Sequence, residues 1–165
     1  MNRQDYPAFV KKIWTDPGGH TERGLSIAGL GLIGECGEVC EVLLAGSTEL
    51  HTKMLIDECG DVLYYVTVLA DWKGYHIEDV WPNLKPGAEA KYMAGCMLVA
   101  RAKEVSERVK KLIRDGKDPA PEEMRTWLRQ VLFALDRILE GVGANLYDAM
   151  NENVRKLEVR YAHAL

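Results

Sequence analysis

Four acids in this sequence stand at spacings that could do chemistry. Glu35-Cys36-Gly37-Glu38 and Glu58-Cys59-Gly60-Asp61 give E-x-x-E and E-x-x-D, with 19 residues between the two quartets. A separation of three places both carboxylates of each pair on one helix face, about one turn apart. Two such helices joined by a short loop run antiparallel, so the four carboxylates can converge. Oxygen-only ligands suit a hard octahedral ion, Mg²⁺ or Mn²⁺ in its place. The plain alternative is a solvated acidic face. Helical positions argue against it: at 100° per residue, Glu58 and Asp61 fall within the arc of Met54, Leu55, Val62, Tyr65 and Leu69, and Glu35 sits beside Leu32 and Val39. Glu38 lies between Glu35 and the far edge of its helix, whereas Glu41 and Asp57 lie outside the apolar arc. Carboxylates facing a core cost several kcal/mol unless a cation or donors compensate.

The elements that must position these acids read as helices throughout. Tyr6, Phe9, Val10, Ile13 and Trp14 recur at helical spacing up to a break at Asp16-Pro17-Gly18-Gly19. A second helix spans about Leu25 to Ala45. Gly46-Ser47-Thr48-Glu49 interrupts it, and Thr48 is the N-cap of a third helix ending near Gly74. A short turn of helix covers Ile77 to Trp81 and is followed by Pro82 and Pro86-Gly87. A fourth long helix is expected from Glu89 to Asp115, and Gly116 to Pro121 separates it from a fifth ending near Gly141. Asn145 caps the last. No segment alternates with period two, so the expected fold is an all-α, four-helix bundle core with additional N- and C-terminal helices, in one domain over residues 1–165.

Size and composition agree. The chain has 165 residues, 47% hydrophobic and 28% charged, which suits one compact domain with a sizeable core. Its formal charge of −4 argues against a nucleic-acid backbone as partner. No apolar run reaches bilayer length, and Met1-Asn2-Arg3-Gln4-Asp5 does not read as a signal peptide. Cys36, Cys40, Cys59 and Cys96 form no Cys-x-x-Cys pair and read as reduced, mostly buried thiols of a cytoplasmic protein. His20, His51, His76 and His163 have no ligand spacing.

Gly29-Leu30-Gly31-Leu32-Ile33-Gly34 fits the dinucleotide fingerprint letter for letter. That fingerprint works only where a strand turns into a helix. Here the glycines interrupt a helical pattern, so close helix packing is the expected role.

With both acidic quartets in view, residues 30–80 resemble the MazG-like all-α NTP pyrophosphohydrolases, a superfamily that includes dimeric dUTPases and dCTP pyrophosphatases. Leu30 to Val39 is similar to that family's first acidic motif and Asp57 to Val66 to its second, the acids matching one by one. Asn153-Val154-Arg155-Lys156-Leu157-Glu158-Val159-Arg160-Tyr161 resembles the closing N-x-x-K-L-x-x-R-Y segment. The resemblance implies Mg²⁺-dependent cleavage between the α- and β-phosphates of a nucleoside triphosphate. It implies Glu35, Glu38, Glu58 and Asp61 as metal ligands, with Glu35 or Glu38 as general base. Asn153, Lys156, Arg160 and Tyr161 become substrate-binding candidates. Trp14, His20, Tyr65 and Trp72 are weaker candidates for lining a base pocket. The chain departs from the family by extra length before the closing segment, and by Val42-Leu43-Leu44 where relatives often carry basic residues. Lys110 or Lys111 is a candidate replacement, a solvated basic face being the plainer role.

Two rivals come from other classes. A carboxylate-bridged di-iron bundle wants Glu-x-x-His pairs, and neither quartet has His at +3. A non-enzymatic helical interaction module explains the bundle but not the acids.

A faint internal repeat completes the reading. A shift of 66 residues lays Ala28-Gly29 on Ala94-Gly95 and Glu38-Val39 on Glu104-Val105. A shift of 69 lays Val62-Leu63 on Val131-Leu132, Gly74 on Gly143 and Asp79 on Asp148. Arg101, Trp127 and Gln130 then stand where Glu35, Glu58 and Asp61 stand in the first copy. This predicts a degenerate duplication, with a metal-binding half at about 20–82 and a second half at about 88–165. Chance likeness between amphipathic helices is the alternative. Because short relatives use two chains for what one would supply here, a homodimer is expected ahead of a tetramer.

Overall fold

The computed structural model describes residues 1–14, 16, 21–46, 48–82 and 91–162, the side chains of 91 and 92 excepted. Seven helices run through them: α1 (Tyr6–Ile13), α2 (Glu22–Ala45), α3 (Glu49–Trp72), α4 (Ile77–Val80), α5 (Lys91–Asp115), α6 (Pro121–Glu140) and α7 (Leu146–Arg160). No strand occurs among the described residues, and no helix is long and apolar enough to cross a membrane. The breaks read at Pro17-Gly18-Gly19 and Pro86-Gly87, the helix start read at Glu89, and His20 and His163 lie outside the described residues.

Local chemistry sets the boundaries. Thr21 caps α2, its hydroxyl accepting from Gly24 N at 3.1 Å, so the helix starts three residues before the apolar periodicity that suggested Leu25. Thr48 caps α3, and His51 Nδ1 turns back toward the Thr48 amide. Pro121 opens α6, where its missing N–H costs nothing.

α2 and α3 form one antiparallel hairpin, α5 and α6 a second, and α2 packs along α5 to close a four-helix core. α1 and α7 lie on α3, and the short α4 lies on α6. Leu32, Cys36 and Val39 of α2 meet Leu98, Ala102 and Val105 of α5 in a core from which water is excluded. Burying such side chains contributes roughly 1.5–3 kcal/mol each for the larger ones.

Across the α2–α5 contact, residues 66 apart exchange roles. Ser106 Oγ donates to Gly29 O at 2.7 Å, and Cys40 Sγ donates to Gly95 O at 3.6 Å. A Cβ on Gly29 would stand 3.2 Å from Val109, and one on Gly95 would stand 3.2 Å from Leu43. Reciprocal contacts of this kind mark a two-fold relation. The turns after α3 and α6 repeat at a shift of 69. Gly74 (φ 71°) and Gly143 (φ 75°) supply the left-handed conformation that only glycine adopts cheaply. Next to them, Tyr75 N donates to Ala70 O and Ala144 N to Leu139 O, both at 2.9 Å. His76 N reaches Asp79 Oδ2 at 3.0 Å, as Asn145 N reaches Asp148 Oδ2 at 2.9 Å.

Candidate functional site

The site is built where α2 and α3 run side by side and α7 crosses α3. Gly29, Gly31 and Gly34 lie inside α2, so the dinucleotide fingerprint has no strand-to-helix turn to act from. Packing explains two of these glycines. Gly29 faces Val109 and the Tyr65 ring lies over Gly31, whereas nothing stands within 4 Å of a Cβ on Gly34.

Glu35, Glu38 and Glu58 each offer a carboxylate oxygen, and these oxygens all lie within 4.8 Å of one another. Glu35 and Glu58 are half-buried, but Glu38 is exposed, at the solvent edge of the cluster rather than facing the core. Three acids so close disfavour their own ionisation. Burial, then the charges of Asp61, Glu38 and Glu58, raises the Glu35 pKa to about 7. Burial, then Glu38, Asp61 and Asp57, does the same for Glu58. Among the described residues no histidine or cysteine joins the trio, which leaves a hard, oxygen-only donor set.

Asp61 lies beside the trio and is engaged differently. Asn153 Nδ2 donates to its Oδ1 at 2.8 Å, and Lys156 Nζ to its Oδ2 at 2.5 Å. The same ammonium stands 2.6 Å from Asp57 Oδ1. Burial works against the Lys156 charge, but its bonds to Asp57 and Asp61 outweigh that and raise its pKa. Burial pushes Asp61 up, and Lys156 and Asn153 hold it back. Asp57 thus faces the site and α7, contrary to its expected place outside the apolar arc; the arc reading missed it because α7 supplies a cation on that side. Met54, placed on the apolar arc, is 42% exposed.

α7 can come this near because residue 60 is glycine. A Cβ there would stand 2.7 Å from Ala149 O and 2.9 Å from Asn153 Cβ. Asn153 is fully buried and its Oδ1 accepts from Tyr6 Oη at 2.7 Å. Nothing in the spacing of α1 marks Tyr6 as part of this network.

Aromatic rings wall the other flank. Trp14 lies 5.9 Å from the Tyr64 ring and 6.4 Å from that of Tyr65. Tyr65 feels the charges of Glu35 and Asp61, which, after burial, raise its pKa. Tyr161, half-buried at the end of α7, couples electrostatically to Tyr64 and Tyr65. Arg160 is exposed next to it. Trp72 is not brought here: it sits eleven residues past Asp61, about 16 Å along α3, under the Lys73 ammonium. Lys110 pairs with Glu107 on α5, and Lys111 is half-buried on the same helix.

Residues 26–85 match the family model of the MazG nucleotide pyrophosphohydrolase domain. No curated protein and no solved structure gives a match to the chain. Residues 26–85, which hold all four acids of the two quartets, thus match the MazG nucleotide pyrophosphohydrolase domain, consistent with the MazG-like all-α superfamily.

Proposed function

We propose that the protein hydrolyses nucleoside triphosphates, deoxynucleoside triphosphates included, to the monophosphate and pyrophosphate, with Mg²⁺ held by the acidic cluster. The observation that carries this reading is the meeting of Glu35, Glu38 and Glu58 within 4.8 Å on facing helices of a MazG domain. The donor set fits the ion: three carboxylates crowded enough to raise two pKa values to about 7 are relieved by a divalent cation better than by solvent. Glu35, Glu38 and Glu58 would hold it, with Asp61 beside them.

When bound, the ion neutralises phosphate charge and makes a water molecule acidic enough to attack. The remaining work falls to the chain. Glu35, half-buried, or Glu38, at the solvent edge, accepts the proton of that water. Lys156 fixes Asp57 and Asp61 and, with the exposed Arg160, presents cations toward the triphosphate; Asn153, a substrate-binding candidate by sequence, is fully buried and instead holds Asp61 from the interior. Trp14, Tyr65 and Tyr161 offer apolar faces for the base beside the acids. A di-iron centre is disfavoured by the absence of histidine from the cluster among the described residues.

The reciprocal contacts across α2 and α5 and the repeated turns support a duplicated chain whose second half has exchanged its acids for Arg101, Trp127 and Gln130. On this reading the chain forms a homodimer with one acidic cluster per subunit. The free cysteines support residence in a reducing cytoplasm. Incubation with a panel of nucleoside triphosphates and Mg²⁺, assayed for pyrophosphate, tests the proposal; release of orthophosphate alone, or no turnover of any nucleotide, would refute it.

A further inference from the structure

We propose that Tyr6 is a positioning residue for the acidic site, acting through the Asn153 amide to fix the orientation of Asp61. This rests on the reading of Asp61 as a member of the metal-holding site.

Three helices meet at this point: Tyr6 on α1, Asn153 on α7 and Asp61 on α3. Tyr6 Oη lies 2.7 Å from Asn153 Oδ1, and Asn153 Nδ2 lies 2.8 Å from Asp61 Oδ1. Both Tyr6 and Asn153 are 0% exposed, so no water competes for their polar atoms. An asparagine amide presents a donor on one side and an acceptor on the other. Asp61 accepts, so the Nδ2 side must face it, and Oδ1 is left needing a donor in the interior. Tyr6 is that donor. Burial and the nearby Asp61 charge keep its hydroxyl protonated, so the direction of the chain does not reverse.

The consequence is geometric. Asp61 Oδ1 is held by Asn153 and Oδ2 by Lys156, so both oxygens are fixed while the charge of the carboxylate bears on Glu35. Without the phenol hydroxyl, the buried Asn153 Oδ1 loses its partner and the amide is free to turn its oxygen toward Asp61, repelling it. An α1 residue outside residues 26–85 would thereby set a carboxylate inside them.

Tyr6→Phe removes the hydroxyl and keeps the ring in the core. The test compares wild type, Tyr6→Phe, Asn153→Ala and the double variant for thermal midpoint, for pyrophosphate-releasing kcat and KM, and for Mg²⁺ binding by calorimetry without nucleotide. Tyr6→Phe is expected to lower kcat about tenfold with KM little changed and to weaken Mg²⁺ binding severalfold. In the double variant the losses should match those of Asn153→Ala alone, since both act through one amide. Wild-type kcat and Mg²⁺ binding in Tyr6→Phe, whatever its thermal midpoint, would overturn the proposal, as would losses that simply multiply with those of Asn153→Ala. Failure of wild type to release pyrophosphate would count against the proposed activity instead, with the Mg²⁺ titration still deciding the role of Tyr6.

Discussion

Lys156 Nζ lies between Asp61 and Asp57, 2.5 Å from Oδ2 of the first and 2.6 Å from Oδ1 of the second, and so ties α7 to the acidic face of α3. That tie depends on Gly60, where any Cβ would press on Ala149 O and Asn153 Cβ. The carbonyl cannot swing aside as a side chain would. Gly60→Ala is expected to push α7 outward, destabilise the fold by about 1–3 kcal/mol and reduce pyrophosphate release at least tenfold. Denaturant melts and initial rates check both, and wild-type values for each would show that α7 does not need this close approach.

Replacing Glu38 or Glu58 by Gln keeps shape and removes charge. Mg²⁺-dependent activity should fall at least a hundredfold in either variant while the helical circular dichroism is unchanged. The thermal midpoint without metal should hold or rise, because one member of a mutually repelling trio is gone. Full activity in either variant contradicts the site.

The raised pKa values of Glu35 and Glu58 give a signed pH dependence. Below the ordinary value near 4.5 both folded and unfolded chains hold these protons. Between there and about 7 the unfolded chain releases them first, so these groups progressively destabilise the metal-free fold as pH rises, fully so above 7. The midpoint of Glu58→Gln minus that of wild type should therefore grow from pH 5 to pH 8 without metal. Excess Mg²⁺ should stabilise wild type more at pH 8 than at pH 5. A difference that shrinks with pH contradicts the crowding of these acids.

The helices were legible because apolar periodicity, Thr48, Asn145 and the glycine turns are local signals that the packed structure keeps. The trio was legible for a similar reason: i, i+3 spacing and one short loop suffice to bring Glu35, Glu38 and Glu58 together. Contacts made between helices distant in sequence were not. Asp57 was read from its own helix as facing away, and only α7 shows what it faces. Tyr6 reaches Asn153 across 147 positions, a relation that no local pattern encodes. Trp72 was an aromatic residue on the right helix, yet too many turns along it.

If the second half has lost its acids to Arg101, Trp127 and Gln130, the chain holds one acidic metal cluster. Calorimetric titration with Mn²⁺ should then lose all its tight binding in Glu58→Gln. Half the stoichiometry surviving in that variant would reveal a second cluster and contradict the account of the duplicated half. Sedimentation equilibrium should give a dimer, and an obligate tetramer would contradict it.

The most direct measurement follows the phosphorus atoms. Wild-type protein with Mg²⁺ and each nucleoside triphosphate, observed by ³¹P NMR, should convert at least one of them to monophosphate and pyrophosphate in equimolar amounts, the pyrophosphate resonance integrating to twice that of the monophosphate, and Glu58→Gln should leave the same spectrum static. A diphosphate with orthophosphate, or equal turnover by Glu58→Gln, would contradict the assignment of pyrophosphohydrolysis to this acidic cluster.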